Sequence, residues 1–530
     1  MKKKLALLLA ALLSVTTILG GCGNKEKSDD AKGGQEAEGG GGGTFIVRAV
    51  GDPISFNPDM VGDDNGYPIA QNIYLRLCGL DVSKQNLVPE AAESWSYNDG
   101  ATELTFKLRQ DLKWTDGEAL TSEDVKYTFD TIKATPSYYF SSSLAGVSSI
   151  ETPDDYTVIF KLSKPDASLA SILGWYGTFI LPEHVYNNGE PWEDNPANME
   201  PVSCGPFKLE EYKQGESVTL VRNPDFPEPA KLDKLIFSII PDEATAIQAL
   251  KNGEIDFFEN MPTASAEELK NDDSVRIMYN EYPSPMRLVF NMNDEKVGDL
   301  ALRKAIATAI DRDEISEKVF SGVQKPEYCM YPSQVTWAAN TEDVAPSFNI
   351  DEARKILEDA GYKADADGMY VTGLVLDVFE GSGYPDSAKL IQATLKEAGI
   401  GIELNVQEYN AWDQKIFVER NFQIEFQGGF MGPDPVALTN RIGTDSSGNV
   451  GGYSNAQVDE LLAKGVATGN QDERAGYYKE AQKILAEELP YVNVVSFAGP
   501  EANSTRFINL PSDGEGKWAW ANYGYTELAK

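Results

Sequence analysis

Histidine is almost absent: His184 is the only one in 530 residues. That scarcity excludes HExxH zinc sites, His-dependent nucleophilic triads and any metal site that needs two histidines. His184 itself reads as a satisfied structural histidine. Neither GxSxG nor GxxxxGK[ST] occurs, so the nucleophile elbow and the phosphate-cradling loop are missing as well. Calcium loops of the DxDxDG type are absent, and the fragment Asp365-Ala366-Asp367-Gly368 reads as a turn. Cysteine is scarce. Beyond Cys22 there are only Cys78, Cys204 and Cys329, an odd number with no close pairing, so no disulfide framework is implied. No catalytic residue, metal or cofactor is expected. Carboxylate pairs are plentiful, and spacing alone leaves a carboxylate-dependent extracellular hydrolase open.

Positive charge is in deficit, with 46 Lys and Arg against 83 Asp and Glu and a formal charge of −37. Such a chain repels nucleic-acid phosphates and anionic lipid heads. Long apolar runs are missing apart from Leu5–Leu19. At about 15 residues that run is short for a bilayer crossing and the right size for a signal-peptide core. Lys2, Lys3 and Lys4 precede it, and Leu19-Gly20-Gly21-Cys22 closes it. Small residues before a cysteine resemble the lipobox of bacterial lipoproteins. The expectation is a signal peptide over 1–21 and a lipidated Cys22 that anchors the protein outside the cytoplasmic membrane. Residues 22–43 end in five glycines and read as a flexible tether.

What the chain has is alternation. In PVSCGPFKLEEYKQGESVTLVRNPD, Pro201 to Asp225, Gly205-Pro206 breaks the chain. Phe207 and Leu209 then alternate with charges, Gly215 supplies a turn, and Val218 and Leu220 continue the two-residue period. The pattern predicts a hairpin behind a Gly-Pro loop. Leu104, Phe106 and Leu108 alternate as a strand, and Thr121 with Asp124 makes a capping-box signature before a helix through Ile132. Lys234–Ile240 is a strand, followed by a helix from Asp242-Glu243 to a Gly253 cap and a strand over Ile255–Phe258. Asp299 caps a helix with Leu302, Ile306, Ala309 and Ile310 as its buried stripe. Two helix–glycine–strand units then end at Gly361 and Gly399, and Pro490–Ser496 returns as a strand. Such units indicate α/β layers. Apolar residues at 42% supply ample core, the length suggests about three domains, and no short repeat is visible.

These segments resemble the extracellular solute-binding family 5 proteins, the dipeptide, oligopeptide and nickel receptors of ABC importers. The hairpin is similar to that family's "GTGPF…ERNPDYW". Ala70–Ala134 parallels the family almost position for position, with Trp114-Thr115-Asp116-Gly117 where "FhDG" is usual. The resemblance covers Thr44–Lys530 and implies a periplasmic-binding-protein-like α/β fold (type II, cluster C), two lobes around a cleft plus an inserted lobe. It implies lobe I over 44–77, 195–280 and 496–530, an inserted lobe II over 78–194, and lobe III over 281–495.

It also implies where ligand binds. Asn57 lies in the loop that matches "sLDP", and Ser203 and Cys204 border the Gly-Pro loop. In the later lobe, Glu408 and Trp412 match the family's "qe…W", with Trp412 as an aromatic wall. Phe430, Met431, Gly432 and Asp434 belong to the loop Gly428–Pro435, where Phe430 replaces a tryptophan and the loop is shorter by about two residues. Peptide-binding members carry an aspartate three residues after that tryptophan, which holds the peptide ammonium. Pro433 occupies that offset here. Either Asp434 takes the ammonium role, or the ligand has no free amine. The resemblance thus implies a monomeric receptor that takes a short peptide, or an oligosaccharide or other small solute, closes by hinge motion and delivers to an ABC permease.

Overall fold

The structure is a computed structural model and describes residues 42–81, 86–175, 178–511 and 522–529. The segments expected to be a signal peptide and a tether, with Cys22, lie almost wholly outside the described residues. No helix among the described residues is long and apolar enough to cross a membrane.

One ten-stranded sheet runs through the molecule. Its strands are β1 (Thr44–Ala49), β2 (Phe207–Lys213), β3 (Ser217–Arg222), β4 (Lys234–Ile239), β5 (Phe257–Phe258), β6 (Val275–Phe290), β7 (Val371–Phe379), β8 (Ile400–Gln407), β9 (Ile424–Gln427) and β10 (Tyr491–Ser504). Their order is β8-β7-β9-β6-β10-β5-β1-β4-β3-β2. The predicted hairpin is β2–β3, with Gly215 at positive φ in its turn. A separate antiparallel sheet, in the order Ala92–Tyr97, Glu103–Leu108, Thr157–Leu162, Val147–Asp154, packs against the helix Ser122–Ala134. That helix starts with the expected Thr121–Asp124 capping box.

Two strands depart from the sequence reading. β5 covers only Phe257–Phe258; just before it Asp256 still bridges β1 and β10, its N donating to Ile46 O, its O accepting from Ser504 N and its side chain accepting from Ile46 N. β10 runs past Ser496 to Ser504, and Gly499-Pro500 does not end it. Proline lacks a donor but keeps its carbonyl, and Pro500 O accepts from Met261 N at 3.0 Å.

Apolar side chains collect in separate cores. One gathers Phe45, Phe106, Phe160, Phe207 and Phe237, and a smaller one gathers Leu250, Phe258 and Leu269. A third holds only residues from Met286 to Val495. The chain passes between these two halves along β6 and β10. Glu281 pairs with Ala498 and Pro285 with Ser496, so three residues of β6 oppose Phe497 alone. Pro283 and Pro285 cannot donate to a ladder, which accounts for the irregularity at this place. Tyr282 packs on Phe497 with ring centres 5.8 Å apart.

Candidate ligand cleft

In each half the parallel strands end at the same side. β1 and β4 run parallel in the first half, and β7, β8 and β9 in the second. Ligands of open α/β sheets bind outside the carboxyl ends of such strands. At these ends stand the loop after Ala49, with Val50 and Ile54 exposed, the exposed Tyr409 after β8, and the loop after β9.

The loop after β9 is fastened by its backbone. Gly428 is required where it leaves the sheet, since a Cβ there would sit 1.9 Å from the Tyr384 hydroxyl. Met431 N donates to Pro283 O at 2.7 Å, Tyr331 Oη donates to Gly432 O at 2.8 Å, and Arg441 Nη2 donates to Phe430 O at 3.3 Å. The Phe430 ring stacks on Trp175 of the other half, with centres 4.4 Å apart and planes 11° from parallel.

Asp434 closes the loop. Arg474 Nη2 donates to both carboxylate oxygens, at 2.8 and 2.9 Å. Ser171 Oγ of the first half adds a bond at 3.1 Å, and the carboxylate also accepts from Val436 N. Asp434 is buried and its charge is already matched by Arg474, so the expectation that it holds a ligand ammonium is corrected. Beside it the halves touch again, where Ala167 N donates to Val466 O at 2.8 Å. A cavity of about 890 Å³ lies between them, lined by Trp95, Tyr97 and Asn98 on one side and Trp337, Asp434 and Arg474 on the other.

The remaining predicted residues lie elsewhere. Trp412 is 3% exposed and packs on Phe379, Tyr409 and Phe417 within the core of the second half. That corrects its reading as an open aromatic wall, because its own neighbours bury it; Tyr409 is the exposed ring of the group. Glu408 caps the helix Tyr409–Asp413 by accepting from Asn410 N and Ala411 N. Asn57, Ser203 and Cys204 are all buried in the first half. Asn57 Oδ1 accepts from Asp59 N, Ser203 exchanges bonds with Thr115, and Cys204 N donates to Ile73 O. They stitch chain segments together instead of lining open space, and burial pushes the Cys204 thiol upward. His184 pairs with Asp116 at 2.7 Å, as a structural histidine should.

Sequence reasoning missed Trp175, Arg441, Arg287 and Glu425. The available signal was a charge interrupting an apolar strand, in Met286-Arg287-Leu288 and in Ile424-Glu425-Phe426.

Comparison with known proteins gives concordant findings. The sequence model described as "Bacterial extracellular solute-binding proteins, family 5 Middle" matches residues 86–449. The "Oligopeptide-binding protein AppA" of Bacillus subtilis is 27% identical over 465 residues, 84% of either chain. Among solved structures, the ABC transporter substrate-binding protein CtaP from Listeria monocytogenes superposes with a TM-score of 0.78 at 25% identity, covering 92% of this chain and 100% of that one. AppA from Bacillus subtilis in complex with a nonapeptide superposes with a TM-score of 0.67 at 26% identity, covering 93% of this chain and 100% of that one.

Proposed function

The chain belongs to the bacterial extracellular solute-binding proteins of family 5, and on that premise we propose that it captures a short peptide outside the cell and delivers it to the permease of an ABC importer. Its family is one of binding proteins, and relatives named for a ligand are mostly peptide-binding. The observation that carries the reading is the joining of two cores through β6 and β10 alone within the large sheet, with the parallel strands of each half ending in exposed loops. A ligand held between two such halves stabilises whichever arrangement closes on it.

On this reading the chain has the three lobes set out above, with the crossing at Tyr282–Ser284 and Phe497 as the hinge. The contacts Trp175–Phe430 and Ser171–Asp434 are then contacts of a closed form. Since Asp434 is already paired with Arg474, the free amine of a peptide is not its partner. The N-terminal features fit a membrane anchor: Lys2–Lys4, an apolar run and a small-residue step to Cys22. Two acyl chains, each buried CH₂ worth about 0.8 kcal/mol, hold a protein to a bilayer where one chain is marginal.

The test is a native mass spectrum of the protein as purified, followed by calorimetry with mixed peptides of two to five residues. A copurifying peptide and a measurable heat are expected. A copurifying sugar, with no heat from any peptide, would overturn the peptide reading and leave the receptor reading standing.

A further inference from the structure

Beneath the loop that carries Phe430, one face of the sheet is polar although it is buried. Ile424 and Phe426 of β9 join the apolar core, so Glu425 and Gln427 point the other way. The register sets Glu425 beside Asp377 of β7, Gln427 beside Arg287 of β6, and Arg287 beside Asn493 of β10. Arg287 is 2% exposed and Glu425 is wholly buried. Their hydrogen bonding is poor. Arg287 Nη1 meets only the Met431 sulfur, at 2.9 Å, and its Nη2 has no partner. Neither oxygen of Glu425 has a partner in good geometry, and the Gln427 side chain is the one hydrogen-bonding group at hand. A thioether is a weak acceptor, and a buried group left unpaired is costly.

The local charge is positive. Arg441 reaches in from the helix Val436–Ile442, with its guanidinium on the Phe430 carbonyl. Asp377 is spoken for by Lys415, Asn405 and Gln407, and Glu327 by Cys329 N and Ser333. Only Glu425 remains to balance two guanidinium groups, and burial pushes its pKa up to about 8 against the pull of Arg287. It is therefore mostly neutral at pH 7. A cavity of about 20 Å³, enough for one water, adjoins Arg287, Gln427, Met431, Arg441 and Tyr491.

We infer that Arg287 and Arg441 form an anion subsite that takes a carboxylate of the bound solute, reached when the Met431 side chain turns aside beneath Phe430. The inference rests on the receptor reading above and names its ligand's chemistry. Methionine is unbranched and has three rotatable bonds, so it vacates a site easily. A carboxylate accepts from a guanidinium in two parallel bonds, which the sulfur cannot do. Protonated Glu425 adds a third donor. The carboxylate belongs to an acidic side chain or to a peptide C-terminus, and the experiment separates them.

Purified protein is titrated calorimetrically with Ala-Glu-Ala amide, Ala-Gln-Ala free acid, Ala-Gln-Ala amide, digalacturonate and its neutral counterpart digalactose. A carboxylate-bearing peptide should bind at least tenfold tighter than Ala-Gln-Ala amide, and whichever acid does so identifies the source. Arg441→Gln should remove that preference. The preference should also weaken between pH 7 and 8, where Glu425 loses its proton and before the Arg441 guanidinium, which burial lowers to about 9, loses its own; Glu425→Gln should abolish the pH dependence within that window. Equal binding of all three peptides overturns the subsite and leaves the peptide reading intact. Binding of digalacturonate but of no peptide and no neutral sugar keeps the subsite and overturns the peptide. Binding of neither acid, or an acid preference that survives Arg441→Gln without pH dependence, overturns the subsite.

Discussion

Arg76 and Arg287 are each almost completely buried, one in each half, and each has a buried glutamate near it. Arg76 is fully served: Glu90 takes its Nη2 at 2.7 Å and its backbone amide at 2.8 Å, and Nη1 reaches the Trp175 carbonyl at 2.9 Å. Arg287 faces a methionine sulfur and a glutamate whose own hydrogen-bonding neighbour is only Gln427. The first pair ties the strand beginning at Cys78 to the loop before Ala91 and holds Trp175 in place. The second pair ties nothing. A satisfied ion pair is scaffold, whereas a buried guanidinium left without a charged partner is a local cost that folding alone does not explain.

Breaking the scaffold pair should have the largest effect. Glu90→Ala leaves a buried guanidinium uncompensated and should destabilise by about 3–5 kcal/mol in urea denaturation. A loss below about 1 kcal/mol would erase the contrast. The other glutamate should behave in the opposite sense. Glu425 binds its proton more tightly folded than unfolded, so its contribution to stability is whole below the ordinary carboxylate range and drains away as pH rises toward about 8. At pH 9, Glu425→Gln should therefore stabilise by about 2–4 kcal/mol, and at pH 4 it should be near neutral. Stabilisation independent of pH would place the cost in packing instead of charge.

Smaller effects are expected where the two regions meet. Trp175→Ala removes a ring stack worth about 0.5–1.5 kcal/mol, and solution scattering should show the ligand-free protein more open. Ser171→Ala removes one bond to an aspartate that keeps Arg474, and should shift the same equilibrium by about 0.5–1 kcal/mol. An unchanged scattering profile for Trp175→Ala, with ligand closure intact in wild type, would remove the stack from the closing contacts.

The scaffold was legible because its signals are local. Thr121 and Asp124 stand three residues apart, and Gly253 directly follows its helix, so caps and turns appear in the string itself. The loop Gly428–Pro435 was legible through its likeness to a family. The cleft's partners were not. Trp175 meets Phe430, Ser171 meets Asp434 and Arg287 meets Met431 across more than a hundred residues of chain. Nothing in a local window signals such pairs. Trp412 was misjudged for a related reason: an aromatic at a promising position reads the same whether it faces solvent or its own neighbours.

The position of β10 has a consequence for the order in which the molecule can be made. The strand comes from Tyr491–Ser504, long after β5 and β6 in the chain, yet it lies in the interior of the sheet between β6 and β5. Until it emerges, β6 along its whole length and β5 each present an unpaired edge, and the two halves have no common sheet. Edges of that kind invite pairing with other chains, and long-range pairing of this sort is intrinsically slow. A chain made amino end first must therefore wait for Tyr491–Ser504 to emerge, about two hundred residues after β6, before its two halves share one sheet.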